Sequence, residues 1–186
     1  MTVNEARATL LAMRLILLRH AKSEKAEPGE ADRERHLNAR GKSDAPVVGA
    51  YIARHGLIPD LVLISPSVRT RETCERVVAE LAERPREKFE ERLYNAGRAA
   101  IVALIKETAP AVRTLMVIGH NPGLHDVARN LIASGDVEAR ERLNEGLPTS
   151  GLVVIDFAGE DWRKLHARSG RIVHFVTPRS LAAAKV

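Results

Sequence analysis

The sequence predicts an α/β fold, in which a mostly parallel sheet lies between two helical layers as a three-layer α/β/α sandwich. Short apolar runs rich in Leu, Ile and Val are typical of strands that are buried on both faces. These runs alternate with longer amphipathic segments, as in the strand–helix units that build parallel sheets. The chain has 186 residues, of which 45% are hydrophobic, so it is long enough to form one domain around such a core.

Five strands are predicted, and their ends indicate where a ligand should bind. Four strands are continuous apolar runs at residues 15–18, 61–64, 115–118 and 152–157. The fifth, at residues 171–176, is expected as a late edge strand. In parallel sheets, ligands bind beyond the carboxyl ends of the strands. The residues that directly follow the strands are therefore the first candidates for a functional site.

Four helices are predicted from apolar residues that recur at helical spacing. Two patterns show the full i, i+3, i+4, i+7 spacing, and they consist of Cys74, Val77, Val78 and Leu81 and of Leu124, Val127, Ala128 and Leu131. Two weaker patterns consist of Ala45, Val48 and Ile52 and of Ile101, Leu104 and Ile105. Gly56 is expected to end the helix that contains Ala45, Val48 and Ile52, because glycine is favoured directly after a helix. The place of Cys74 on an apolar face predicts a core residue.

Residues 13–186 are predicted to form a single domain, preceded by an N-terminal extension at residues 1–12. Met13 stands immediately before the first strand. Residues 1–12 are therefore interpreted as an extension that begins at an upstream start codon. Cys74 is the single cysteine, so the chain cannot form an internal disulfide. No apolar run approaches the ~20 residues of a membrane span, and the segment before Arg19 lacks the cleavage site of a signal peptide. These features predict a cytoplasmic protein without a membrane partner.

The charge of the chain favours an anionic partner but not a nucleic acid. The formal net charge is +5, which favours anions in a general way. The basic residues are spread along the chain, however, and they often stand next to acidic ones, as in DRERH and AERPREKFEER. Aromatic residues make up 3% of the chain, too few to provide stacking platforms for single-stranded nucleic acid. A phosphorylated substrate fits this surface better.

Three of the predicted strands are followed by segments that carry histidine, arginine or both. The segments are Arg19-His20-Ala21-Lys22-Ser23, Ser65-Pro66-Ser67-Val68-Arg69 and Gly119-His120-Asn121-Pro122-Gly123. Because the carboxyl ends of parallel strands share one edge of the sheet, we expect His20, His120, Arg19 and Arg69 to converge there.

Two histidines and two arginines at one edge suit the transfer of a phosphoryl group. Arginine presents a planar fork of donors that matches phosphate oxygens and stays charged at any working pH. Neighbouring arginines lower the pKa of an imidazole, because they disfavour its protonated form. A neutral ring has a lone pair that can attack phosphorus, which divides hydrolysis into two easier steps.

Local turns around these residues are expected to support an anion. Ser67 is expected to cap the helix that carries Arg69, which would place this arginine in the first turn. Pro122 suits the first position of a helix, and Gly123 permits close approach of the backbone. The N-terminus of the helix after Gly123 would add amide donors and a favourable dipole.

Six motifs follow one another in the order found in a known family. They are LLRHAKS, the DxxRxLN-x-RG segment of residues 32–41, PDLVLISPSVRTRET, LYNA, VIGHNPGL and LPTSGL. Together they resemble the SixA-type phosphohistidine phosphatases of the histidine phosphatase (phosphoglycerate mutase-like) superfamily. The resemblance extends from about residue 13 to about residue 179.

This resemblance implies a role for each residue at the shared edge. His20 would be the phosphorylated nucleophile, Arg19 and Arg69 would hold the phosphoryl group, and His120 would stabilise charge in the transition state. Asn121 would support the site. The family implies neither a metal nor an organic cofactor.

Four further residues are candidates for substrate binding. Lys22 and Ser23 either line the phosphate site or only form the loop after the first strand. Thr149 and Ser150 are expected to shape a turn near the site, where either could also contact the ligand.

The chain departs from the family pattern at two positions. His36 stands where a proline is common, which should leave the loop less rigid. The acid that the superfamily usually carries has only a loose counterpart in Glu91, which we include among the catalytic candidates. A weak acid handicaps an alkyl phosphate more than a phosphoramidate, because an imidazole leaving group needs little help near neutral pH. This difference favours phosphohistidine as the substrate.

Several functions are compatible with these residues. The favoured one is hydrolysis of a phosphohistidine on another protein, such as the histidine phosphotransfer domain of a two-component relay. The first alternative is a phosphatase of the same superfamily that acts on a small phosphorylated metabolite, a sugar phosphate or a nucleotide. A mutase is less favoured because the chain is short. A non-catalytic module that binds a phosphorylated ligand is less favoured because both histidines are present, and the fold alone does not fix the substrate.

Overall fold

The computed structural model describes residues 12–183 of the chain. Of the predicted N-terminal extension, residues 1–11 lie outside the described residues, and Ala12 is the first residue of a strand. The domain boundary at residue 13 stays a prediction.

The described residues contain one seven-stranded sheet. Its strands are β1 (Ala12–Arg19), β2 (Leu61–Ile64), β3 (Arg86–Phe89), β4 (Thr114–Gly119), β5 (Ile132–Gly135), β6 (Leu152–Ala158) and β7 (Gly170–Val176). Their order is β3-β2-β4-β1-β6-β7-β5. Four neighbouring pairs are parallel, and only the two pairs that involve β6 are antiparallel. The mostly parallel sheet predicted from the sequence is confirmed.

Within residues 12–183, six α-helices connect or follow these strands. They are α1 (Ala39–Arg54), α2 (Val68–Val78), α3 (Arg98–Lys106), α4 (Gly123–Leu131), α5 (Val137–Glu145) and α6 (Pro178–Ala183). Short 3-10 helices lie at Asp32–Glu34, Glu91–Leu93 and Trp162–Lys164. The four predicted helices correspond to α1 to α4.

Side chains alternate between two apolar clusters, one on each face of the sheet. On β1, Leu15 and Leu17 belong to one cluster, whereas Ile16 and Leu18 belong to the other. Helices α3 and α4 cover the first face and α1 and α2 the second. The two faces are therefore both buried, as a three-layer sandwich requires, and this burial explains why the strands read as continuous apolar runs. Cys74 lies in the second cluster as predicted, where burial raises the pKa of its thiol to about 12.

The edges of the sheet differ from the prediction. The strand at residues 171–176 was expected at an edge, but β7 lies between β6 and β5. The edges are β5, which begins directly where α4 ends, and β3. Neither was predicted from the sequence. Phe89 is the single large apolar side chain of β3 and it is exposed, so β3 has no apolar run that could reveal it.

No helix among residues 12–183 is both long enough and apolar enough to cross a membrane.

Candidate active site

The carboxyl ends of β1 and β4 bring two histidines together. Arg19 and Gly119 are partners in the parallel ladder, and the His20 amide donates to the Gly119 carbonyl at 3.1 Å. The rings of His20 and His120 consequently face each other, with centroids 5.3 Å apart and planes at 57°. Both residues are buried, with exposed fractions of 7% and 5%. Two imidazoles this close to each other can both contact one small bound group.

The His20 ring is held in one tautomer. Its Nδ1 lies 2.8 Å from the Ala21 carbonyl oxygen, and because a carbonyl can only accept, Nδ1 carries the proton in the neutral ring. Nε2 therefore keeps a free lone pair. The Ala21 amide in turn donates to Thr73 Oγ1 at 3.0 Å. This bond holds Ala21, and with it the carbonyl that contacts the His20 ring, in place.

Burial, above all, keeps the His20 ring neutral. It lowers the pKa of His20 to about 3, with smaller contributions in the same direction from His120, Arg69 and Arg19 and an opposing one from the Ala21 bond. The sequence predicted the direction of this shift from the arginines, but desolvation of the ring is the larger cause.

His120 is held by a serine whose role the sequence did not reveal. Ser65 Oγ lies 2.7 Å from His120 Nε2, and Ser65 is fully buried directly after β2. Burial and then Arg69 lower the pKa of His120 to about 4, against a raising effect of Asp32. His120 Nδ1 is buried without a hydrogen-bond partner among the described residues, so it is available to a ligand. The sequence feature that could have indicated this role is the position of Ser65 directly after a predicted strand.

Arg19 and Asn121 share a backbone acceptor. Arg19 Nη1 donates to the Leu147 carbonyl at 2.9 Å, and Asn121 Nδ2 donates to the same oxygen at 2.7 Å. The pKa of Arg19 is lowered by burial, yet an arginine stays charged near neutral pH. Both side chains are thus anchored on the loop before β6.

Arg69 is buried in the first turn of α2 and is held by an acid. Its Nη2 donates to Asp32 Oδ2 at 2.8 Å and its Nη1 donates to the Asp32 carbonyl. Tyr94 also donates to Asp32 Oδ2, at 2.8 Å, and its ring stands edge-on to His120 with centroids 5.6 Å apart. Although burial acts to raise the pKa of Asp32, the bonds from Tyr94 and Arg69 lower it. Asp32 and Tyr94 stand in motifs that the sequence singled out, but neither was proposed for the site.

Two details of the turns differ from the sequence prediction. Ser67 is the N-cap residue of α2, but its hydroxyl pairs with Thr70 Oγ1 at 2.7 Å instead of capping a backbone amide. Pro122 precedes α4 as its N-cap residue, and the helix begins at Gly123. A Cβ on Gly123 would lie 2.0 Å from the Ala96 carbonyl oxygen, so close packing requires glycine there.

Glu91 is not brought to the two histidines. It lies in the 3-10 helix Glu91–Leu93, where its side chain is 72% exposed and forms an ion pair with Arg33 at 2.7 Å. Across the described part of the chain, no hydrogen bond or ion pair joins Glu91 to His20 or His120.

The four further candidates, Lys22, Ser23, Thr149 and Ser150, differ in burial and in their hydrogen bonds. Ser150 is fully buried, and its amide donates to the carbonyls of Arg19 at 3.1 Å and His20 at 3.2 Å. Its φ of 57° is uncommon for a residue other than glycine, Asn or Asp. Thr149, beside it, is half-buried. Ser23 accepts a hydrogen bond from Arg35, and Lys22 is exposed.

Unpaired polar atoms are concentrated at this site. Nine buried side-chain nitrogen or oxygen atoms of the described residues have no hydrogen-bond partner. Five of them belong to Arg19, Arg69, His120, Asn121 and Ser150. Because buried polar groups are normally paired, this concentration indicates a place prepared for a polar ligand. Two arginines make that ligand an anion.

The described residues contain no group of three or more His, Cys, Asp or Glu side chains placed to hold a metal ion.

Comparison with known proteins finds a family model that matches residues 15–108, the histidine phosphatase superfamily (branch 1). An uncharacterized protein of Mycobacterium leprae is 33% identical over 166 residues, which cover 87% of this chain and all of that protein. An uncharacterized protein of Mycobacterium tuberculosis is 33% identical over 164 residues, again over its full length.

Solved structures of similar proteins show the same fold. A candidate phosphohistidine phosphatase SixA of Agrobacterium tumefaciens is 31% identical, with a TM-score of 0.76 over 89% of this chain and 98% of the other. A second candidate SixA, from Nakamurella multipartitia, is 22% identical with a TM-score of 0.78 over 90% of this chain and 96% of the other.

Proposed function

We propose that this chain, which belongs to the histidine phosphatase superfamily, hydrolyses a phosphohistidine on another protein through a transient phosphoryl group on His20. It is a phosphatase of the SixA type, since a SixA-type protein is similar to it over nearly its whole length. One observation carries the choice of nucleophile. The Nδ1 hydrogen bond to the Ala21 carbonyl leaves the lone pair on Nε2 of a neutral, buried ring.

In the first step, His20 Nε2 attacks phosphorus and the bond from phosphorus to the substrate's leaving atom breaks. Arg19 and Arg69 hold the phosphoryl oxygens, with donors that are already fixed by Leu147 and Asp32. Donors held in place before the reaction need no rearrangement as charge develops. The electron pair of the broken bond leaves with the substrate's imidazole, whose nitrogen takes up a proton from solvent water.

In the second step, water attacks phosphorus and His20 leaves as a neutral ring. His120 lies on the other side of the bound group at a ring distance of 5.3 Å. If Ser65 donates to Nε2, the His120 proton sits on Nδ1 and points a donor at the phosphoryl group. The low pKa of both rings in the free site makes the neutral forms available at pH 7.

The position of the acids supports phosphohistidine as the substrate. Glu91 is exposed and paired with Arg33, and Asp32 has a lowered pKa and therefore stays ionised. Asp32 is therefore not a ready proton donor at neutral pH, and the Glu91 carboxylate is engaged with Arg33. An imidazole departs more readily without a donor than an alkoxide does.

We propose the cytoplasm as the location. Cys74 is the single cysteine and it is free and buried, which is typical of proteins from reducing compartments.

The experiment that tests this function compares substrates under one condition. Turnover of a protein phosphorylated on histidine is measured beside a panel of sugar phosphates, nucleotides and aryl phosphates, with chelator present throughout. We expect kcat/KM for the phosphohistidine protein to exceed that for every alkyl phosphate by at least about 10²-fold, the scale of one acid–base contribution. A sugar phosphate or nucleotide turned over as efficiently would transfer the assignment to a small-molecule phosphatase.

A further inference from the structure

A trough leads away from Arg19 on the side of α5 and has no assigned role. Its volume is about 510 Å³. Its polar and aromatic lining includes Arg19, Asn121, Arg142, Glu145, Phe175 and Thr177. Because Arg19 and Asn121 also belong to the candidate active site, the trough borders that site.

Arg142 is the distinctive side chain of this trough, which is called the Arg142 trough below. Its guanidinium lies over the ring of Phe175, with 5.3 Å from Cζ to the ring centroid. Phe175 is 7% exposed, so the ring is a fixed platform. Stacking on a ring face leaves the in-plane N–H donors of arginine available, and these donors match a carboxylate or phosphate. Arg142 has no ion pair with any carboxylate of the described residues.

The charges around the trough favour an anion over a cation. Arg19 and Arg142 contribute two positive charges, and Glu145, which is exposed, contributes one negative charge. Arg19 is already committed to the phosphoryl group through the proposed function. Arg142 therefore remains in the lining of the trough as a cation that has no ion-pair partner among the described residues.

We infer that the Arg142 trough binds a second anionic group of the substrate, a carboxylate or a phosphate that lies beyond the transferred phosphoryl group. This inference rests on the proposed function. The group belongs either to an acidic side chain next to the phosphohistidine of a protein or to a small metabolite with two anionic groups. Arg142 would then select substrates without taking part in the chemistry.

Binding of three phosphonates, which cannot be hydrolysed, tests the inference. Phenylphosphonate carries one anionic group, and para- and meta-carboxyphenylphosphonate carry a second. We expect at least one carboxyl isomer to bind the wild-type protein about three- to fivefold more tightly than phenylphosphonate, the range of a partly exposed ion pair. Arg142→Gln should abolish this preference. Arg140→Gln, which removes the same charge from the same helix outside the trough, should keep it.

Three results would overturn the inference: equal binding of all three phosphonates, a preference that survives in Arg142→Gln, or an equal loss in Arg140→Gln. Failure to bind any phosphonate would overturn the proposed function as well. A protein that shows the expected preference but hydrolyses no phosphate would contradict the proposed function alone.

Turnover assigns the source of the anionic group. Two phosphohistidine peptides that differ by one aspartate beside the phosphohistidine are compared with phenyl and carboxyphenyl phosphate. A preference for the acidic peptide that depends on Arg142 supports a protein substrate. A dependence on Arg142 that is confined to the aryl pair supports a small metabolite, whereas no dependence in either pair contradicts the inference.

Discussion

The imidazole rings of His20 and His120 lie 5.3 Å apart, inclined at 57° to each other. They belong to different strand ends, and the parallel pairing of β1 with β4 sets their separation. Within this pair, His20 Nε2 and His120 Nδ1 are the ring nitrogens that have no hydrogen-bond partner among the described residues. The pair therefore offers two ring nitrogens, one from each strand end, to a bound group.

Ser65 is predicted to act through His120. Ser65→Ala removes the hydroxyl that lies 2.7 Å from Nε2, so the His120 proton is no longer directed to Nδ1. We expect kcat to fall about tenfold, with a smaller change in KM, because one hydrogen bond of about 1 kcal/mol or slightly more is lost. Steady-state kinetics measures the split. Ser67→Ala is the matched control, since its buried hydroxyl pairs with Thr70, and an equal fall in both variants would contradict the prediction.

Turnover is predicted to depend on the planar, forked N–H donors of the Arg69 guanidinium. Arg69→Lys keeps the charge but loses the paired donors that Asp32 orients, so kcat/KM should fall by about 10²- to 10³-fold. Arg71→Lys, on the exposed side of the same helix, should leave kcat/KM within twofold. Near-normal turnover by Arg69→Lys would show that this arginine serves only as a diffuse charge.

The two histidines are predicted to make folding stability depend on pH. The pKa of His20 is about 3 in the folded protein, against an ordinary value of 6.5. Between these values the unfolded chain binds a proton that the folded protein does not, so stability falls as pH decreases through this window. Each such histidine contributes a slope that approaches about 1.4 kcal/mol per pH unit.

Urea unfolding at pH 7, 6 and 5, without phosphate, measures this slope. His20→Gln should reduce the slope by the share of one histidine, whereas His166→Gln, at an exposed position, should leave it unchanged. Identical slopes for the wild type and His20→Gln would mean that His20 titrates normally.

Glu91 is predicted to contribute little to turnover of good leaving groups. Its carboxylate is exposed and paired with Arg33, so Glu91→Gln should change kcat/KM for aryl phosphates and phosphohistidine less than twofold. Rates should rise steeply from alkyl phosphates to aryl phosphates to phosphohistidine. Efficient hydrolysis of an alkyl phosphate that is lost in Glu91→Gln would show instead that this residue is a working acid.

The sequence was informative wherever burial left an apolar pattern. The runs at 61–64 and 152–157 predicted β2 and β6 because both faces of the sheet are covered. The edge strand β3 was missed because its residues are mostly exposed, and β5 was missed because it continues directly from α4 without a break.

The polar framework of the site was harder to predict. Strand ends and motif order identified His20, His120 and Arg69. The contacts of Asp32 with Arg69 and Tyr94 depend on tertiary packing between the loop after β1, the start of α2 and the 3-10 helix after β3. Sequence spacing carries no signal for such a contact. The same reason explains why the ion pair of Glu91 with Arg33 was not predicted from the sequence.

Rapid-quench labelling tests the central role of His20 most directly. The protein is mixed with a radiolabelled phosphorylated substrate, quenched within milliseconds and mapped for the attached phosphoryl group. We predict an acid-labile, base-stable label on His20 in the wild type and in the exposed control His166→Ala, and none in His20→Ala, whose fold is checked by circular dichroism. A folded His20→Ala protein that still turns over the substrate, or a wild-type label on another residue, would contradict the assignment of His20 as the nucleophile.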